Sequence, residues 1–326
     1  MFPRPGRILA CFLIVLAACS PRKQPKIGVS VATMQEAVYS FMRKAMLEKS
    51  SADGVELVWV SAENSESKQR ADVEGLIAQG VDVLVLHAVN TATAGELVKK
   101  AAAAGIPVVA MDRLPSGVAV RLYVTANSRL VGRLQAQYLA QALGGKGNVV
   151  LLEGETGNST ARDITAGNLE ILAGYPDIKL VLRRAHKNWA RDLAKTTVDE
   201  AFAASKDGVQ GILANNSGMA MGALEAVEGR LSKADAATVV VIGADADRDA
   251  CEAIIEGRLA ADIDKMPTEI ARATYDAAQK LIRRERLTAD AVVDNAGIGT
   301  DVRLTPVKLI TKDNVKPAME YRWGDL

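Results

Sequence analysis

The sequence predicts an α/β fold made of two doubly wound lobes, each built on a mainly parallel sheet. Three observations carry this. Short apolar runs rich in Val, Ile and Leu alternate with helical stretches of about ten to fifteen residues, the pattern of βαβ units. The alternation runs through two series of similar size, one from Lys26 and one from about residue 128. A chain of 326 residues is long enough for two domains of ordinary size.

In the first series KIGVSVA (26–32) is a strand, followed by a helix from about Gln35 to Lys49. VELVWVSA (55–62) leads into a helix over Ser65–Gln79, and VDVLVLHAV (81–89) into a helix over Ala92–Ala104. PVVAMD (107–112) and YVTA (123–126) complete the series. The strands are almost continuously apolar, as strands covered on both faces require. Gly80 and Gly105 stand just past helices two and three, where a left-handed cap is wanted. The second series opens with a helix over Leu130–Leu143 and the turn GGKGN (144–148). Strands at 148–154, 178–185, 208–216 and 238–245 then alternate with helices at 161–173, 189–204, 218–229 and 247–257. LAADIDK (259–265), a long helix over Thr268–Arg284 and a polar, extended tail close the chain.

Composition narrows the function. Hydrophobic residues make up 49% and charged residues 24%, the balance of a soluble globular chain. The 40 basic and 39 acidic residues nearly cancel, so no electrostatic footprint for nucleic acid exists. Residues 1–18 read as a signal peptide: Arg4 and Arg7 precede an apolar run, Ile8–Ala18, too short for a stable span. Leu16-Ala17-Ala18-Cys19 resembles the lipobox of bacterial lipoproteins, which implies a lipidated Cys19 followed by a tether over 19–25. An ordinary secretory signal with an incidental Cys19 is the alternative. With Cys19 lipidated, no second cysteine of the mature chain is left for Cys251 to bridge to, and no disulfide framework is expected.

Ligands of open parallel sheets bind beyond the carboxyl ends of the strands. Past the first strand stand Gln35 and Glu36, with Tyr39 one turn on; past the third, His87 and Asn90; past the fourth, Asp112 and Arg113. The second series presents Glu155, Asn158 and Arg162, then His186, Asn188 and Trp189. Asn215-Asn216-Ser217, Asp245, Asp247 and Lys265 follow. Asp, Asn and Arg are planar groups that bind vicinal hydroxyls in pairs, and an aromatic ring covers the C–H face of a sugar. Two such edges facing each other suit a carbohydrate. Glu36 at a helix start is equally explained by the helix dipole.

The segments KIGVSVA, VDVLVLHAVN, GIPVVAMDRL, ILANNSGMAMGALEAV, VIGADAD and RLTPVKLITKDNV resemble the sugar-binding proteins of bacterial ABC transporters, over nearly all of residues 26–326. The resemblance is to the type I, ribose and xylose branch. It implies a three-segment hinge, a first lobe of residues 26–127 plus about 265–289, and a second of 128–264 plus about 290–326. It implies sugar contacts at Asp112, Arg113, Arg162, Asn216, Asp245 and Lys265, with Trp189 as a stacking ring. Gln35, Glu36, Tyr39 and Asn158 are further candidates, less securely matched, and Ser217 replaces the branch's second acid. The implied partners are a monosaccharide, an ABC transporter permease and, through the lipid, a membrane at the periplasm or cell surface. A monomer without cofactor is expected. A sensor that presents its closed form to a membrane receptor is the alternative role.

The known enzyme motifs are missing, and a cleft carboxylate pair such as Glu155 and Asp245 is the remaining catalytic alternative. The turn after the first strand, VSVATMQEA, lacks the glycines of a dinucleotide site, and GGKGN precedes a strand instead of following one. No G-x-S-x-G or H-E-x-x-H occurs, and the two histidines stand at different strand ends with no metal-ligand spacing. A transcription regulator of this fold would open on a DNA-reading helix-turn-helix, whereas this chain opens on an export signal.

Overall fold

The computed structural model describes residues 24–35 and 37–323. β1 (Lys26–Val31), α1 (Ala37–Asp53), β2 (Glu56–Ser61) and α2 (Glu66–Ala78) open the first series. β3 (Val83–Leu86), α3 (Gly95–Ala103), β4 (Val108–Met111) and β5 (Leu122–Ala126) complete it. The second series runs through α4 (Ser128–Ala142), β6 (Gly147–Glu153), α5 (Ser159–Leu172) and β7 (Ile178–Ala185). α6 (Arg191–Ala204), β8 (Gly211–Ala214), α7 (Ser217–Arg230) and the single turn α8 (Lys233–Ala236) come next. β9 (Val240–Ile242), α9 (Arg248–Glu256) and β10 (Asp262–Asp264) precede the long α10 (Pro267–Ile282). The chain closes with β11 (Ala291–Asn295), β12 (Ile298–Thr305), β13 (Lys308–Ile310) and α11 (Val315–Trp323).

The first lobe holds a sheet in the order β11-β12-β5-β4-β3-β1-β2, parallel except for the β11–β12 hairpin. All four residues of β3 are buried, because helices cover both faces of the sheet. The second lobe holds β7-β6-β8-β9, also parallel. β10 continues that sheet through bonds from the Gly243 N–H to Ala261 O (3.1 Å) and from the Asp245 N–H to Ile263 O (2.8 Å), and β13 pairs antiparallel with β10. The chain crosses between lobes three times: at Asn127, at Lys265–Met266 and at Pro306–Val307.

The tail differs from the sequence-based expectation. Residues 291–305, expected in the second lobe, form β11 and β12 of the first sheet, with Val302 buried beside Tyr123. Only residues from Lys308 onward belong to the second lobe, and they end in a helix, α11, that packs near α9. An edge hairpin buries one face alone, so its polar alternation carries no mark of the lobe it joins. The helix expected from Trp189 starts at Arg191, because Asn188 and Trp189 hold left-handed backbone (φ 54° and 57°).

Two glycines seat α5 against α4. A β-carbon on Gly132 would lie 1.9 Å from Ile164 O, and one on Gly167 2.1 Å from Arg129 O, so the helices touch backbone to backbone. This contact sets which residues of α5 face the first lobe. Across that boundary the Thr160 hydroxyl donates to Asp112 O (3.1 Å), the Leu114 N–H to Ser159 Oγ (3.2 Å) and the Thr91 hydroxyl to Gly157 O.

Candidate functional site

The cleft between the two sets of strand ends gathers most of the polar residues read from the sequence. Tyr39, Asp112 and Arg113 reach it from the first lobe and Trp189, Asn216 and Asp245 from the second, with Lys265 entering from the middle crossing. Val38, Met42, Pro267 and Ile270 add an apolar wall, and Thr160 lines it from the first turn of α5.

Asp112 is held from three sides. It ends β4 in left-handed backbone (φ 61°), which Asp tolerates better than most residues, so the chain turns sharply there. Its carbonyl accepts hydroxyls from Tyr123 (2.9 Å), Thr125 (3.2 Å) and Thr160 (3.1 Å). Its carboxylate Oδ2 lies 3.4 Å from His87 Nε2. Burial opposes ionisation, but Lys265, His87 and Arg113 outweigh it and hold the carboxyl well below the usual carboxylate range. Oδ1 is buried and, among the described residues, has no hydrogen-bond partner.

His87 is the acid's neutral support. Its Nδ1 accepts the Ala32 N–H (3.4 Å), which leaves the ring proton on Nε2, facing Asp112. Burial, aided by the Arg113 charge, lowers its pKa to about 4 against the pull of Asp112, so the ring is uncharged near neutrality. Its ring also meets Tyr39 edge-on, with centroids 5.1 Å apart.

The other polar groups are placed as firmly. Lys265 Nζ lies 2.8 Å from Asp245 Oδ1. Burial works against its charge, yet Asp245 and Asp112 more than offset this, and the ammonium is held above the ordinary lysine range. Arg113 spends Nη1 on the carbonyls of Ala88 (3.1 Å) and Val89 (3.5 Å). Asn216 caps α7, accepting the Met219 N–H at 2.8 Å. The Trp189 ring lies flush on the end of β6: a β-carbon on Gly154 would stand 2.3 Å from it.

Other candidates are placed elsewhere. Arg162, expected beside the ligand, is exposed and ion-paired with its neighbour Asp163 (2.9 Å), outside the cleft lining. Gln35 is exposed, its N–H bonded to Thr33 Oγ1 (3.1 Å), and does not line the cavity. Glu36 and Cys19 lie outside the described residues. Asn158 caps α5, accepting the Thr160 (2.9 Å) and Ala161 (3.3 Å) N–H groups, and lines an adjoining cavity. Sequence reasoning missed Thr160 and the part played by His87. The position of His87 at a strand end was the available signal; that of Thr160 depended on the rotation of α5.

Comparisons with known proteins show the family. Residues 27–286 match the family model of the periplasmic binding protein domain. The chain is 33% identical over 317 residues to a xylitol-binding protein of Mycolicibacterium smegmatis, covering 96% of this chain and 84% of that one. It is 27% identical over 312 residues to the D-xylose-binding periplasmic protein of Escherichia coli, covering 94% and 93%. The solved structure of an ABC transporter periplasmic solute binding protein from Actinobacillus succinogenes, with bound D-allose, is 27% identical with a TM-score of 0.79, covering 90% of this chain and 100% of that one. These relatives are solute-binding proteins and not enzymes. The match runs from β1 through α10, across both lobes, and the chain belongs to the periplasmic binding protein family.

Proposed function

We propose that this chain is a lipid-anchored, extracytoplasmic solute-binding protein that clamps a monosaccharide, a xylose-like pentose or a related sugar, between its lobes and delivers it to an ABC transporter permease. One observation carries the reading: Asp112 Oδ1, a buried acceptor on an ionised carboxylate, has no donor among the described residues inside the cleft. Leaving such a group unpaired is costly, and a sugar hydroxyl supplies the missing donor. Arg113, Lys265, Asp245 and Asn216 then serve the remaining hydroxyls, while Trp189 and Tyr39 cover C–H faces. The names of the relatives, which bind xylitol, D-xylose and D-allose, support a polyhydroxylated ligand.

Each lobe alone offers half of these groups to water, where a hydroxyl gains little. Closure completes both halves at once, so ligand shifts an open–closed equilibrium, the hinge motion for which periplasmic binding proteins are themselves a standing example. The closed form is what a permease would recognise.

Calorimetric titration of the mature chain with D-xylose, D-ribose, D-glucose, D-galactose, xylitol and myo-inositol tests the reading. One of them is expected to bind at micromolar Kd or tighter; silence from all six in folded, ligand-free protein would remove it. The anchor is proposed from Leu16-Ala17-Ala18-Cys19, with a monomer tethered at the periplasm or cell surface. Cells fed labelled palmitate should label the full chain and leave Cys19→Ser unlabelled, and label on both chains would argue against lipidation at Cys19.

A further inference from the structure

The cleft continues past the residues that would hold one sugar. Arg113 and Trp189 also line a second cavity, enclosed by the loops after β2 and β3 of the first lobe and after β6 and β7 of the second. β2 is the far edge of its sheet from β5, which leads into the first crossing, so this cavity is the outer mouth of the cleft. The Thr91 hydroxyl reaches across it to Gly157 O, so the lobes close around the mouth as well as the interior.

The wall of the mouth is polar and already ordered. Glu66 accepts from Asn90 Nδ2 (3.0 Å) and from the Thr93 hydroxyl (2.5 Å), and Glu155 Oε2 accepts the Asn188 N–H (3.2 Å). Two acids, Glu66 and Glu155, face two bases, Arg113 and Lys187. That balance suits an uncharged, polyhydroxylated group better than a phosphate or an ammonium. Trp189, backed by Gly154, borders both cavities, so an aromatic surface and a guanidinium run unbroken from one to the other.

We propose that the mouth is a second subsite, which holds a further sugar unit or a polar aglycone joined to the clamped sugar, so that the protein takes glycosides of two units as well as single sugars. The proposal rests on the sugar-binding reading of the inner cavity. Its test titrates the mature chain with single sugars beside their methyl glycosides and their two-unit homologues of differing linkage: D-xylose with xylobiose, D-glucose with cellobiose and maltose. The same titrations are run on Lys187→Ala and Glu155→Gln. The expected result is a two-unit ligand that binds at least as tightly as its single-unit parent. Both variants should weaken it about tenfold and leave the single unit within twofold. Binding of single units alone, with every two-unit homologue a hundredfold weaker, overturns the second subsite and leaves the monosaccharide reading standing. Two-unit binding that neither variant weakens also overturns it. Silence from single and double units alike removes the sugar-binding reading itself, and the second subsite with it.

Discussion

Asp112→Asn should weaken sugar binding by two to three orders of magnitude while the protein stays folded. Asn keeps the shape, tolerates the left-handed backbone at φ 61° and leaves the carbonyl that receives three hydroxyls untouched. Lys265 retains Asp245 as its partner. What disappears is a buried negative charge whose Oδ1 awaits a donor. Hydrogen bonds to charged groups contribute about 1.5–3 kcal/mol each, and a carboxylate that takes two sugar hydroxyls would lose roughly 3–4 kcal/mol. Calorimetry on parent and variant, with circular dichroism to confirm folding, reads the difference. Affinity within threefold of the parent would mean that Asp112 serves the fold and not the ligand.

Asp262→Asn is expected to abolish a loss of stability that the parent shows above pH 6.5. Asp262 lies fully buried under the second lobe's side of the cleft. Its Oδ1 accepts the Ala246 N–H (2.9 Å), and its Oδ2 is 2.8 Å from Ser217 Oγ. The single Ser217 proton also faces Ala244 O (2.9 Å), while its oxygen accepts the Asp247 N–H (3.2 Å). All of these bonds form together only if Asp262 is a protonated acid that donates to Ser217. Burial, and the nearby charges of Asp245 and Asp247, push its pKa up to about 8, although the Ala246 N–H and the Ser217 hydroxyl would favour the charged form.

Between the unfolded carboxyl pKa near 4 and about 8, the folded chain therefore binds a proton that the unfolded chain has released, and stability falls as pH rises. His87, lowered to about 4, acts oppositely between about 4 and 6.5: there the unfolded chain holds the extra proton, and stability rises with pH. The two slopes oppose each other below pH 6.5. From 6.5 to 8 Asp262 dominates: at about 1.4 kcal/mol per pH unit, less the last proton release of the unfolded chain's histidines near 6.5 and the half-ionisation of Asp262 at 8, the parent should lose roughly 1 kcal/mol. Urea unfolding at pH 6.5 and 8.0 should show this drop in the parent and none in Asp262→Asn. An equal drop in both would place the titrating group elsewhere.

The sequence by itself determined the alternation of strands and helices, the two lobes and the strand ends at which Asp112, Arg113, Asn216, Asp245 and Lys265 stand. These are local matters. A run of Val and Ile ends where polar residues begin, and in a parallel sheet that end is where ligands bind. The tertiary structure decided what depends on rotation and on distant pairing. Arg162 and Thr160 share the first turn of α5, but at 3.6 residues per turn they point about 200° apart. Contact of Gly132 and Gly167 with the facing backbones turns Thr160 to the cleft and Arg162 to solvent. Residues 291–305 join the first lobe through pairing with β5, a partner about 180 residues earlier that no local pattern announces. The uncharged state of His87 was likewise beyond the sequence, because it depends on an Ala32 N–H and a buried Asp112 that meet it only in the fold.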